Sequence, residues 1–229
     1  MRVIINEPHI NKMAARGRRI MTVGLVMLVF SVFLSLNVNT VLPAYGVLVV
    51  ALIVVNLGLA FGGKWMQRPR ADQLLDKVLK GLEGSSRLYA LVLPADHVIL
   101  SPAGLFTLTL KSQDGQITCR GDTWRRRWSL TSMFRSLFGA RLGNPTRQAR
   151  KDAAALKKWL SSRLPDVEVP IQPVIVFAHP RADLKLEEPS VPVVRLDELK
   201  SYLREATRSS VLDRATLQSL TELFDQQAG

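Results

Sequence analysis

Residues 20–63 contain no charged side chain, a run of 44 positions. That is too long for one membrane span and suits two. Residues 20–36 form the first apolar stretch. Asn37, Val38, Asn39, Thr40 and Pro43 interrupt it with turn formers, and residues 44–61 form the second. Each stretch covers about 26 Å as a helix, just enough for a hydrocarbon core of ~30 Å. The short connection predicts a tight helical hairpin. Asn56 is the one amide in the second stretch, and a hydrogen bond to the neighbouring helix is its expected use. Gly58, Gly62 and Gly63 form no familiar dimer motif.

Beyond the apolar run the pattern changes. Leu74, Leu75, Val78, Leu79 and Leu82 recur at helical spacing, and Gly84-Ser85-Ser86 stops them. Residues 87–93 alternate as a strand. Residues 98–100 and 105–110 read as two strands joined by Ser101-Pro102-Ala103-Gly104, a turn sequence. A further strand is expected around 116–120. Leu130, Met133, Phe134, Leu137 and Phe138 again recur at helical spacing. Residues 148–164 predict an amphipathic helix with Ala153, Ala154, Leu156, Trp159 and Leu160 inward. Residues 174–177 read as a buried strand, and 191–194 as an edge strand because Pro192 lies within it. Two amphipathic helices, over 196–206 and 210–226, close the chain; Asp213 and Asp225 read as ordinary surface charges. The expected layout is a basic leader over 1–19, two membrane helices within 20–63, a linker over 64–70, and an α/β domain over 71–229.

Charge adds orientation and partners. Arg16, Arg18 and Arg19 precede the first span, Lys64, Arg68 and Arg70 follow the second, and the connection has no Lys or Arg. The positive-inside rule then puts both ends of the chain in the cytoplasm of a two-span protein. The formal net charge is +12, which favours anionic partners: DNA, RNA or anionic lipid head groups. Between Arg120 and Arg163 twelve basic residues, among them Arg125, Arg126, Arg127, Arg147, Arg150 and Lys151, face only Asp122 and Asp152. Trp124, Trp128 and Trp159 are interleaved. Such a segment suits nucleic acid, through counterion release and base stacking, and equally a lipid surface. A single cysteine, Cys119, rules out an internal disulfide and reads as a buried inert thiol. Three histidines are too few and too scattered for a His-based metal centre.

One constellation carries candidate chemistry. Asp96 heads the first strand of the hairpin and Lys111 ends the second, so both can face one site. A turn or capping role for Asp96 and a solvated strand end for Lys111 remain the ordinary alternatives. His97 most simply helps to fix the strand.

Asp96-His97-Val98, Pro102-x-Gly104-Leu105-Phe106, Lys111, Gly115-x-Ile117, Trp124 and Asn144-Pro145-x-x-Gln148 together resemble the nuclease-related domain, a relative of the PD-(D/E)xK nucleases. The resemblance implies a restriction-endonuclease-like α/β fold, a mixed sheet flanked by helices. It also implies that Asp96, Lys111 and Gln148 are site residues. In an intact enzyme Lys111 stabilises the scissile phosphate, and Asp96 is a ligand of Mg²⁺; no other cofactor is expected. The family's opening helix carries another acid, for which Asp72 and Asp76 are both available. One position departs. The family's Glu-x-Lys reads Thr109-x-Lys111 here, and a neutral hydroxyl replaces a carboxylate poorly at a hard cation. The expectation is therefore a catalytically degenerate relative that binds nucleic acid. Two alternatives stand beside it: a membrane-bound scaffold without nucleic acid, and an active nuclease whose second carboxylate has moved, with Asp114 and Asp122 in view.

Overall fold

The computed structural model describes residues 2–66, 71–82, 86–127, 142–165, 167–207 and 212–228. The helical repeat expected over 130–138, Trp128, Arg135, Arg141 and most of the linker lie outside them. The chain forms two compact units.

The first unit is a helical hairpin. Helix α1 (Glu7–Ser35) and helix α2 (Val41–Met66) are joined by a 3-10 turn at Val38–Thr40. The Asn37 side chain accepts the Asn39 N–H and starts that turn. Both helices are long and apolar enough, by length and composition, to cross a membrane. Gly17, Gly24 and Ser31 on α1 are buried at seven-residue intervals, as are Ala44, Ala51 and Gly58 on α2, where Gly62 is buried as well. A seven-residue period keeps one seam of each helix on its partner, and small side chains let the backbones approach closely. A Cβ on Gly58 would lie 2.7 Å from the Met21 nitrogen, and one on Gly24 2.8 Å from the Val55 nitrogen. Val23, Val26, Phe30, Phe33, Val49 and Ile53 remain exposed on the outward faces.

Two details of this unit differ from the sequence reading. α1 begins at Glu7, well before the apolar run, because nothing between Glu7 and Arg19 breaks a helix once Pro8 has taken its first turn. Asn56 does not bridge the helices. Its side-chain amide donates to Leu52 O of its own helix at 2.8 Å, on an exposed face; the seam is filled by small residues and leaves no room for an amide.

The second unit is the α/β domain. Its main sheet has six strands in the order β1 (Arg2–Ile5), β2 (Arg87–Ala90), β3 (His97–Ser101), β4 (Gly104–Lys111), β7 (Ile171–Phe177) and β9 (Val193–Arg195). β2, β3 and β4 are antiparallel neighbours; β1 joins β2, and β7 and β9 extend β4, in parallel. A smaller sheet orders β6 (Thr123–Arg126), β5 (Gly115–Arg120) and β8 (Ala182–Glu187). Residues 2–5, read as part of a basic leader, are thus an edge strand of the domain. β8 also escaped the sequence reading, although Ala182, Leu184 and Leu186 alternate with polar residues.

Helices cover both faces of the main sheet. α3 (Ala71–Leu79) and α5 (Leu199–Thr207) bury Leu75, Leu79, Leu199 and Leu203 against Ile99, Phe106, Leu108 and Val176. α4 (Pro145–Ser161) and α6 (Arg214–Ala228) bury Leu156, Leu160, Leu220 and Phe224 against Val98, Leu100 and Leu105. Ala154, expected inward on α4, is exposed, since Leu156 and Leu160 set the buried stripe. Gly104 opens β4 at φ +121°, and a Cβ there would meet Pro170 O at 2.7 Å. The Leu105 N–H donates to that same carbonyl, so the turn and the β7 junction both depend on glycine.

Asp213 and Asp225 are more than surface charges. Asp213 caps α6 by accepting the Thr216 N–H at 3.1 Å. Asp225 pairs with Arg87 at 2.6 Å and accepts the Tyr89 hydroxyl at 2.9 Å, fastening α6 to β2. Burial, then Asp225, pushes the Tyr89 hydroxyl up from its ordinary range. Asp225→Asn should lower stability by about 1–2 kcal/mol in reversible thermal unfolding, from two weakened hydrogen bonds in a partly screened position. An unchanged midpoint would show that α6 is held by Leu220 and Phe224 alone.

Candidate functional site

Alternation along β4 decides what faces α4. Phe106 and Leu108 enter the core beneath α3, so Leu105, Thr107, Thr109 and Lys111 point to the α4 side. Val98 stands opposite Thr107. Two residues earlier, just ahead of β3, the alternation continues toward the α4 side at Asp96, whose charge acts on Asp152 of that helix. His97 points the other way and is buried. The approach to Asp96 is tight: the Leu91 N–H donates to Asp96 O at 2.8 Å, and Leu91 takes φ 61°. A leucine holds that conformation at a cost of about 1–3 kcal/mol.

Asn144-Pro145-x-x-Gln148 is a helix start. Asn144 accepts the Arg147 N–H at 2.9 Å and donates to Asp122 O at 3.1 Å, while Pro145 occupies the first turn. The Thr146 hydroxyl accepts the Trp124 indole N–H at 2.8 Å. These bonds fix the angle at which α4 enters. Gln148 and, one turn later, Asp152 then face the sheet. Lys111 donates from Nζ to Gln148 Oε1 at 2.8 Å and to Leu142 O at 3.1 Å. The Thr109 hydroxyl donates to Asp152 at 3.4 Å.

Electrostatics tie the group together. Burial pushes the Asp152 carboxyl up, and the Asp96 charge adds to this; Thr109, Lys151 and Lys111 oppose it. Burial likewise holds the Lys111 ammonium below its ordinary value, against the pull of Asp152. One sheet face thus brings together two carboxyl groups, a buried ammonium and an amide.

The other acids in view are engaged elsewhere. Asp114 pairs with Arg126 and approaches Arg181 at 3.9 Å. Asp122 accepts the Ser190 hydroxyl and approaches Arg150 at 3.4 Å; the Ser190 bond, foremost, holds its carboxyl below the usual range. Asp72 is buried on α3 and Asp76 is exposed on it, and α3 covers the sheet face opposite Thr109. Among the described residues, no three His, Cys, Asp or Glu side chains come together.

The basic segment divides. Arg126 and Arg150 are spent on the ion pairs above. Arg125 and Arg127 are exposed on β6 and just past it. Arg147 and Lys151 are exposed on α4, one column over from Gln148 and Asp152. Trp124 and Trp159 are half-buried and take part in the packing: Trp124 lies 5.8 Å from Phe177, and Trp159 lies 5.9 Å from Phe224 with the Arg163 guanidinium 4.3 Å over its ring. Cys119 is buried in β5, its thiol donating to Gly121 O and pushed up by burial. Asp152, which α4 brings to Thr109, is the acid that sequence reasoning passed over. Its signal was the four-residue spacing from Gln148.

The mixed sheet flanked by helices, behind two long apolar helices, is of the nuclease-like α/β class. Residues 70–178 match the family model of the nuclease-related domain, NERD. The chain has no match among curated proteins or solved structures.

Proposed function

We propose that the protein is a two-span membrane protein whose nuclease-related domain lies on the cytoplasmic side and binds the phosphate backbone of nucleic acid near Asp96, Lys111 and Gln148. The observation that carries this reading is Lys111: an ammonium held in place on the sheet face by Gln148 and Leu142 O. A cation kept between a strand end and a helix start suits a phosphate oxygen. Arg147 and Lys151 extend the positive charge along the exposed side of α4. With Trp124 and Trp159 engaged in ring contacts, recognition falls on phosphates, which favours sequence-tolerant binding. The cytoplasmic placement rests on the basic flanks of both spans.

The test uses the full chain in phosphatidylcholine nanodiscs, so that no anionic lipid competes, with labelled single- and double-stranded DNA and RNA over a salt series. Binding should weaken steeply with salt. The Arg147→Ala and Lys151→Ala changes should each weaken it uniformly across sequences and lower the salt slope by about 1. If nothing binds even at low salt, the scaffold reading takes its place.

A further inference from the structure

We propose that Asp152, reaching from the second turn of α4 over Thr109, supplies together with Asp96 the two carboxylates of a divalent-cation site, in the place of the Glu that the family carries at position 109. The argument is one of substitution in space. A Glu at 109 would project from β4 toward α4. Here that projection is cut back to a threonine, and Asp152 comes down from the helix to the same point, close enough for the Thr109 hydroxyl to bond it at 3.4 Å. The short side chain on the strand and the acid on the helix are complementary: a Glu at 109 would occupy the space that Asp152 enters.

The donor set fits a hard cation. Mg²⁺ and Mn²⁺ take oxygen ligands, and Mg²⁺ is commonly held by one or two carboxylates while keeping several waters. Two acids, with no third acid, Cys or His grouped with them among the described residues, leave positions for water and a phosphate oxygen. A second observation points to the same face. The Thr107 hydroxyl, two residues before Thr109, is fully buried and has no hydrogen-bond partner among the described residues, a polar atom placed where an apolar side chain would pack as well. Lys111 stands on the far side of Thr109, its ammonium fixed by Gln148, and Lys151 flanks Asp152 outside. When bound, a divalent cation there neutralises the phosphate and lowers the pKa of a coordinated water. The chain's own residues hold the cation through Asp96 and Asp152, and place the phosphate through Lys111.

This deepens the phosphate-binding reading but is tested without nucleic acid. The full chain in detergent, stripped with EDTA, is titrated with Mn²⁺, and free Mn²⁺ is read from its paramagnetic resonance signal. One Mn²⁺ should bind. Asp152→Asn and Asp96→Asn should each weaken it tenfold or more with unchanged circular dichroism, while Asp183→Asn on exposed β8 should leave it unchanged. The decisive variant restores the family arrangement: in Asp152→Ala, which should lose the ion, adding Thr109→Glu should bring Mn²⁺ binding back. The proposal is overturned if wild type binds no Mn²⁺ at millimolar concentration, if folded Asp152→Asn binds it as wild type does, or if Thr109→Glu rescues nothing in a folded double variant. Salt-sensitive DNA binding in EDTA by a wild type that ignores Mn²⁺ would remove this inference and leave the phosphate-binding reading standing.

Discussion

Gly17→Val will force the helical hairpin apart. A Cβ at position 17 would lie 2.4 Å from Gly62 Cα and 2.9 Å from Gly62 N. Both are main-chain atoms, so no side chain can swing away to make room. The helices must separate, and the separation propagates along a seam that returns every seven residues to a small or buried position. Overpacking in a well-packed interface costs about 1–3 kcal/mol, and rigid backbone on both sides puts this case at the upper end. Dispersion contacts are lost along the whole seam as well. Unfolding of the full chain in mixed detergent–SDS micelles should show the loss. Val26→Leu, on an exposed outward position, should be near neutral in the same assay. If the two variants unfold alike, the small-residue seam is not what joins the helices.

That seam shows what sequence could and could not disclose. The uncharged run from 20 to 63 announced two helices, because a bilayer-length apolar stretch needs no partner to be recognised. The glycines taken singly disclosed nothing; only the spacing of 17, 24 and 31 against 44, 51 and 58 carries the packing, and its meaning requires both helices at once. β1 was hidden for a similar reason. Val3, Ile4 and Ile5 are too few to signal a strand, and their pairing with β2 spans more than eighty residues of chain. The β3–β4 hairpin was legible because turn chemistry and alternation are local. The candidate site was half legible: Asp96, Lys111 and Gln148 were read from the strand pair and the family motif, and in the structure Lys111 donates to Gln148. Asp152 was counted merely as an acid within a basic segment. A residue on a helix gains its role from the strand beneath it, and no spacing along the chain shows which strand that is.

Lys111→Met should separate function from stability in opposite directions. Lys111 is only 9% exposed, and burial holds its ammonium below the ordinary value of 10.5. The folded state therefore disfavours the charge it carries. In the pH range between the lowered native value and 10.5 the unfolded chain binds more protons, so this group makes stability rise with pH. Methionine fills a similar volume without the charge. Gln148, exposed, can turn its amide to water when its partner is lost. The variant should therefore gain roughly 1 kcal/mol, about 2–4 °C in midpoint for a domain of this size, and should lose the Lys111 contribution to the pH slope. Nucleic-acid binding should fall by about 10–100-fold, as expected for removing a charge-assisted contact of about 1.5–3 kcal/mol. A variant that is less stable than wild type would make Lys111 a structural strut between β4 and α4. A variant that binds unchanged would put the phosphate elsewhere. Gain of stability with loss of binding would instead show that the fold carries this ammonium at a cost, and a cost retained at the one point where strand, helix start and two acids meet is the mark of a working site.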